Sequence, residues 1–203
     1  MNYSKYKESR DMTWEELKKN NISALPVKIS DICKNRGIKV VSYKNGMDFI
    51  KSINALDRVI SNDGFSVGNI IFFNSAQSVE RQRFTVAHEL GHIVLGHTLN
   101  GQLVNREISP NDNPIETAAN VFASRILAPA CVLWGIGVTD YKQIQELCNI
   151  SSTAAKFRME RLQTLYDRER EFLKTRGKSC FLLSPLERKV YKQFEDFIKE
   201  VSN

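Results

Sequence analysis

The chain has 203 residues, 42% of them hydrophobic, which is enough to bury one ordinary core, so we expect one domain with a small appendage. Its 29 Lys and Arg residues and 23 Asp and Glu residues give a net charge of +6, which is compatible with an acidic partner but requires none. A polar N-terminus and the lack of a long apolar window argue against secretion and membrane insertion, so we expect a cytoplasmic protein. The four cysteines have no CxxC spacing and are interpreted as reduced thiols.

The first part of the chain predicts helices followed by a small sheet. Residues 3–20 predict a helix, and residues 38–43 read as a strand closed by Asn45-Gly46. The apolar runs 65–67 and 70–73 flank Gly68-Asn69, which is a two-residue hairpin signal. The second run is apolar on both faces, so we expect a buried strand just before the next helix.

That next helix, expected from its cap Ser78 onward, carries the sequence His88-Glu89-Leu90-Gly91-His92. This is an HExxH pattern, which on a helix is typical of a zinc site. Residues four apart on an α-helix are rotated by about 40°, so both imidazoles share one face. Glu89 then flanks the metal and can accept a proton from the water that the metal activates. The alternative is two partly exposed histidines on an ordinary helix.

The third histidine of the chain, His97, follows closely but does not fit the longer pattern HExxHxxGxxH. That pattern needs glycine at position 95 and histidine at position 98, where this chain has Leu95 and Thr98. We interpret His97 as a helix-end residue favoured by the helix dipole. The alternatives are a partner that orients a metal ligand, a role near the substrate, or a ligand itself.

A strongly periodic helix over 114–127, capped by Asn113, offers the third ligand. Glu116 in its first turn lies beside the apolar stripe, but it could instead complete a capping box with Asn113. Glu107 is the competing acid, in a polar stretch without a helical frame. Asn120 follows Glu116 by one turn and could accept a hydrogen bond from a ligating histidine, which would fix its tautomer.

The runs RQRFTVAHELGHIVLGH (81–97) and ETAANVFASRILAP (116–129) resemble the ImmA/IrrE family of zinc metallopeptidases. The resemblance implies an α+β fold with a zincin-like core, in which a small sheet packs on the HExxH helix. It also implies that His88, His92 and Glu116 bind one zinc ion and that Glu89 is the general base. The family's role implies a narrow protein substrate, a helix-turn-helix repressor of a mobile element or stress response.

This chain departs from the family pattern at two positions. Asn120 stands where related peptidases often have aspartate, so the partner of the ligating histidine is neutral. Ala128 replaces a larger residue before Pro129.

The C-terminal part predicts a helical lobe. We divide the chain into a peptidase core over 1–138 and a lobe over 139–203, with a helix-turn-helix-like unit at 140–166. Basic residues outnumber acidic ones between 156 and 178, which fits DNA contact or, as the favoured interpretation, a solvated helix face. Tyr141 and His97 are guesses for a second donor to the reacting carbonyl.

Three functions remain open from the sequence. The first is a cytoplasmic zinc endopeptidase acting on a protein substrate, and the second is a DNA- or repressor-binding protein with a structural or vestigial metal site. The third is a zinc hydrolase with a non-peptide substrate, because HExxH does not select the bond that is cleaved. The sheet before the motif either binds an extended substrate by strand addition or only supports the helix.

Overall fold

The computed structural model describes residues 6–61, 63–97, 113–176 and 182–202. Over these residues the protein combines many helices with a three-stranded sheet, which confirms the predicted α+β class. In chain order the elements are α1 (Lys7–Lys19), α2 (Ile29–Asn35), β1 (Lys39–Ser42), α3 (Tyr43–Ser52), α4 (Leu56–Ser61), β2 (Gly64–Val67), β3 (Ile70–Phe73), α5 (Val79–Val94), α6 (Pro114–Leu127), α7 (Ala130–Ile136), α8 (Tyr141–Cys148), α9 (Ser152–Arg176), α10 (Pro185–Gln193) and α11 (Glu195–Ser202).

The chain divides into two compact units. The first comprises residues 1–12 and 28–123, and the second comprises residues 13–27 and 124–203. The sequence predicts a boundary between two domains after residue 138. The two compact units are groups of residues that lie close together, so they do not test whether each predicted domain folds by itself. The domain assignment therefore stays a prediction.

The sheet of the first unit has the order β1-β3-β2, with β1 parallel and β2 antiparallel to the central strand β3. Ile71 and Phe72 in β3 are buried, as the apolar run predicts. Gly68, between β2 and β3, has a φ of +55°, which the first central position of a type II′ turn requires. The predicted hairpin is confirmed.

The two faces of this sheet pack against different helices. Phe65 pairs with Phe72 and Ser66 pairs with Ile71, so the two pairs point to opposite faces. Phe65 and Phe72 belong to a buried cluster that contains Tyr43 and Ile50 of α3. The other face lies against α5: an added Cβ on Gly64 would be 2.3 Å from Cγ2 of Thr85. The HExxH helix therefore rests directly on the sheet.

The predicted turn at Asn45-Gly46 is wrong. The strand ends at Ser42, whose hydroxyl accepts a hydrogen bond of 3.3 Å from the backbone N–H of Asn45 and caps α3. Gly46 lies inside that helix, where an added Cβ would be 2.5 Å from Cε1 of Phe72. This glycine allows close packing of a helix on the sheet and does not serve a turn.

The second unit is helical over its described residues. Gln193 Nε2 of α10 donates to the carbonyl oxygens of Leu17, at 2.9 Å, and Ile22, at 2.6 Å. Trp134 Nε1 of α7 donates to Glu169 Oε2 of α9 at 2.9 Å. These bonds connect elements far apart in the sequence, which explains why the residues around Leu17 belong to this unit.

Helices α8 and α9 are joined by a short turn, in which Asn149 adopts a φ of +49°. Arg158 of α9 is 7% exposed, and its Nε donates to the carbonyl oxygen of Ala128 at 2.5 Å. Burial lowers the pKa of Arg158 to about 10. Arg158 is thus a core residue and does not contribute to an exposed basic face. Whether the α8–α9 pair acts as a helix-turn-helix unit stays a prediction.

One stretch of the described residues, Pro114–Ile136, is long and apolar enough to cross a membrane. The expectation that no window reaches this length is therefore wrong. However, 67% of the window is buried within the protein, and Ala128 and Pro129 divide it into α6 and α7. Core helices of water-soluble proteins have the same composition, so the stretch is weak evidence for a membrane span.

Three of the four cysteines, Cys33, Cys131 and Cys148, form no disulfide, which agrees with their interpretation as reduced thiols, and all three are buried. Burial raises the pKa values of Cys33 and Cys131 to about 12, so both are protonated at neutral pH. Cys180 lies outside the described residues.

Candidate metal centre

Helix α5 places His88 and His92 on the same face, one turn apart. The helix begins where predicted, because the Ser78 hydroxyl accepts a hydrogen bond of 3.3 Å from the backbone N–H of Arg81. The two imidazole rings have centroids 4.6 Å apart and are nearly perpendicular. Their Nε2 atoms are 3.0 Å apart, so both rings direct the same nitrogen toward one point.

Helix α6 approaches α5 closely at this level. Asn113 is its N-cap, as predicted, since Asn113 Oδ1 accepts a hydrogen bond of 3.0 Å from the backbone N–H of Ile115. Gly91 of α5 faces α6: an added Cβ would be 3.0 Å from Cδ1 of Phe122 and 3.3 Å from the carbonyl oxygen of Ala119. The small residues at positions 91 and 119 therefore allow close contact of the two helices.

This contact brings Glu116 to the histidines. Glu116 Oε2 is 3.2 Å from His88 Nε2, and Oε1 is 3.5 Å from His92 Nε2. The three residues form a group whose ligand atoms all lie within 4.8 Å of one another, the arrangement required for a shared metal ion. Glu107, the competing acid in the sequence, lies outside the described residues.

The other ring nitrogens of the two histidines have separate partners. His88 Nδ1 is 2.9 Å from Asn120 Oδ1, and His92 Nδ1 is 3.1 Å from His97 Nδ1. An amide oxygen only accepts, so His88 carries its proton on Nδ1. Its Nε2 therefore presents a lone pair to His92 and Glu116.

The spacing of the three ligand atoms fits a zinc ion. Zinc bonds of about 2.0–2.1 Å in tetrahedral geometry place neighbouring ligand atoms roughly 3.3–3.4 Å apart. The two Nε2 atoms are 3.0 Å apart, and they lie 3.2 Å and 3.5 Å from the two different oxygens of the Glu116 carboxylate, so each of these separations is close to this value. The Nε2 lone pair of His88 and the Glu116 carboxylate are both acceptors directed toward the same point, an arrangement that a shared cation stabilises. His88, His92 and Glu116 can therefore hold a metal ion together, and two imidazole nitrogens and a carboxylate are donors that suit zinc.

Burial lowers the pKa of His97 to about 4, and the neighbouring His92 contributes to the lowering. The interpretation of His97 as a helix-end residue favoured by the dipole needs a protonated ring, and this environment opposes that charge. A neutral ring can instead accept a hydrogen bond from His92.

Glu89 lies next to the ligands on α5 and is only 2% exposed. Its Oε2 accepts a hydrogen bond of 2.9 Å from the hydroxyl of Ser66, on the sheet face that packs against α5. Ser66 belongs to none of the sequence motifs that predict the site. A signal existed, because the two-residue hairpin pairs Ser66 with Ile71 and so puts a hydroxyl on an inward, otherwise apolar face.

Tyr141, suggested as a second donor, belongs to the second unit. It is the first residue of α8, and Lys156 Nζ lies 5.1 Å from the centroid of its ring. Its role toward a substrate stays a prediction.

Comparisons with known proteins agree with this geometry. Residues 33–160 match the peptidase family described as the IrrE N-terminal-like domain. The radiation response metalloprotease IrrE of Deinococcus radiodurans is 43% identical over 68 residues, which cover 32% of this chain and 21% of that protein. The chain thus aligns with about a fifth of the length of this relative. Because the family match extends over more than half of the chain and includes both α5 and α6, this protein belongs to the IrrE N-terminal-like domain family.

Proposed function

We propose that this protein is a zinc-dependent endopeptidase of the HExxH-plus-glutamate type. The observation that carries the proposal is the convergence of His88 Nε2, His92 Nε2 and the Glu116 carboxylate within 4.8 Å. A zinc ion held there would act as a Lewis acid that acidifies an attacking water and polarises a carbonyl group. Family membership and the metalloprotease name of the relative support the same reaction class.

In this proposal Glu89 is the general base. It accepts the proton of the attacking water and passes it to the amine that leaves. Its burial, at 2% exposure, keeps bulk water away, and the Ser66 hydroxyl holds one carboxylate oxygen in place beside the proposed metal ligands. In this proposal Glu89 is the base and Ser66 orients it. The three metal ligands are His88, His92 and Glu116.

We further propose a narrow substrate, namely a helix-turn-helix repressor of a mobile element or stress response. This part rests on the resemblance of residues 81–97 and 116–129 to the ImmA/IrrE family. We place the reaction in the cytoplasm, because the buried free thiols Cys33, Cys131 and Cys148 suit a reducing compartment.

The test is incubation of the zinc-loaded protein with each purified helix-turn-helix repressor from the same organism, followed by mass spectrometry of the products. We expect one repressor to be cut at one defined bond, and a chelator to stop the reaction until zinc is restored. Glu89→Gln should bind zinc like the wild type but lower the cleavage rate by at least about 100-fold, because it cannot accept the proton.

Cleavage at the wild-type rate by Glu89→Gln, or cleavage that survives chelation, would contradict the proposed mechanism. The competing function, a DNA- or repressor-binding protein with a vestigial metal site, predicts a different result. In that case the repressor would bind without being cut, and chelation would leave binding unchanged.

A further inference from the structure

The two histidines of the candidate metal centre have different hydrogen-bond partners at Nδ1, the ring nitrogen that points away from Glu116. Asn120, one turn after Glu116 on α6, faces Nδ1 of His88 at 2.9 Å. His97, just beyond the C-terminal end of α5, faces Nδ1 of His92 at 3.1 Å. Each ligating ring thus has a separate polar partner on the side away from the three ligand atoms.

The tautomers follow from the ligand geometry. A neutral imidazole that binds a metal through Nε2 must carry its proton on Nδ1. His92 Nδ1–H therefore donates, and His97 Nδ1 accepts and carries its own proton on Nε2. A direct Nδ1–Nδ1 separation of 3.1 Å leaves no room for a bridging water, so the contact is a direct hydrogen bond.

The position of His97 is itself fixed by the backbone. Its N–H donates to the carbonyl oxygen of His92 at 2.8 Å, and Gly96 turns the chain with a φ of +73°. The ring of His97 then crosses that of His92 at 65°, with centroids 5.2 Å apart. This left-handed turn at the helix end folds the chain back so that residue 97 reaches a side chain five positions earlier.

We infer that His97 is a positioning residue of the metal centre, which fixes the tautomer and ring orientation of His92 as Asn120 does for His88. The inference rests on the proposed function in taking His88, His92 and Glu116 as metal ligands. Both outer partners are uncharged acceptors, so the ligands and their partners together carry only the negative charge of Glu116. The extended pattern that would make His97 a ligand fails at positions 95 and 98, and the hydrogen bond gives this histidine a different role.

Zinc affinity is the direct test, and it needs no substrate. We would measure it by competition with a chelator of known affinity for the wild type and three variants, His97→Ala, His97→Asn and His97→Gln. His97→Ala should weaken zinc binding by about 10–100-fold, the usual effect of removing such a partner. His97→Asn should restore affinity to within about threefold of the wild type, because its Oδ1 occupies the place of Nδ1 and can accept the same bond.

His97→Gln is the matched control, since it is equally polar but places its oxygen one bond further out, so it should resemble His97→Ala. The visible absorption spectrum of the cobalt-loaded proteins should follow the same order, because it reports ligand geometry and not stability. If His97→Ala binds zinc as tightly as the wild type, or if His97→Asn is as weak as His97→Ala, the inference is wrong. A wild type that binds no zinc would instead overturn the proposed function itself.

Discussion

The Ser66 hydroxyl donates a hydrogen bond of 2.9 Å to Oε2 of Glu89, and it connects an edge strand of the sheet to the proposed general base. Both residues are buried, at 7% and 2% exposure, so water does not compete for this bond. The carboxylate is thereby held by the sheet as well as by its own helix. In the proposed mechanism this bond gives the sheet a second task beside supporting α5, namely to orient the base.

Ser66→Ala should therefore slow cleavage without weakening the metal site. A hydrogen bond to a charged group contributes about 1.5–3 kcal/mol, which corresponds to a loss of roughly 10–100-fold in kcat. Zinc affinity should stay at the wild-type value, because Ser66 contacts none of the three proposed ligands through the bond described. Steady-state kinetics on the cleaved repressor and chelator competition measure the two quantities separately.

Ser66→Thr is the matched control for this prediction, since it keeps the hydroxyl on a residue that suits a strand. It should retain most of the activity. A Ser66→Ala variant with wild-type kcat would show that Glu89 is oriented sufficiently by α5, and a parallel loss of zinc affinity would show a general disturbance of the site.

Asn120 offers a second prediction. Asn120→Ala removes the acceptor at 2.9 Å from His88 Nδ1, so zinc affinity should fall by about 10–100-fold. Asn120→Asp keeps an oxygen at that place and adds a negative charge, so it should bind zinc at least as tightly as the wild type. Asn45→Ala, at an exposed position of α3, is the control and should leave the affinity unchanged. Equal affinities for Asn120→Ala and the wild type would remove Asn120 from the site.

Local sequence patterns were sufficient to predict the helices and the hairpin that position the candidate site. The HExxH spacing, the Ser78 and Asn113 caps and the Gly68 hairpin all depend on contacts within a few residues, and the structure contains each of them. The meeting of Glu116 with the histidines depends on how α5 and α6 pack. The sequence indicated that contact only through small residues and the family resemblance.

Other features could not be predicted from local patterns, because long-range packing decides them. Asn45-Gly46 reads as a turn, yet Gly46 is needed where α3 meets Phe72. Arg158 belongs to a basic stretch in the sequence, yet it is buried and bonded to a backbone carbonyl 30 positions away. Ser66 likewise acquires its partner only through the packing of the sheet on α5.

Gly91 supplies a third prediction, on the contact between α5 and α6. Gly91→Ala adds a Cβ at 3.0 Å from Phe122 Cδ1 and 3.3 Å from the carbonyl oxygen of Ala119. Overpacking costs about 1–3 kcal/mol, and the better helix propensity of alanine returns up to about 1 kcal/mol. We therefore expect a net loss of roughly 0–2 kcal/mol for Gly91→Ala and a larger loss for Gly91→Val.

The two Gly91 variants should also weaken zinc binding in the same order, because they separate Glu116 from His88 and His92. Chemical denaturation and chelator competition on the same samples measure both effects. Unchanged stability in Gly91→Val would mean that α6 can move away without cost, which the close approach of the two helices argues against.

The buried thiols give a prediction for alkaline pH. Burial raises the pKa values of Cys33 and Cys131 from 9.0 to about 12, so each thiol ionises more readily in the unfolded chain than in the folded protein. The associated stability is complete below pH 9 and is lost progressively as the pH rises from 9 toward 12. At pH 10 each thiol should account for a loss of stability on the order of 1 kcal/mol, because pH 10 lies about one unit above the pKa of an exposed thiol.

Urea denaturation of the wild type, Cys33→Ala and Cys131→Ala at pH 7 and pH 10 tests this directly. Each variant loses buried contacts and should be less stable at both pH values, but the decrease between pH 7 and pH 10 should be smaller than in the wild type by an amount on the order of 1 kcal/mol. The comparison cancels the titration of lysines and tyrosines, which all three proteins share. An equal decrease in wild type and variants would mean that these thiols ionise as easily in the folded protein as in the unfolded chain, in contradiction to their burial.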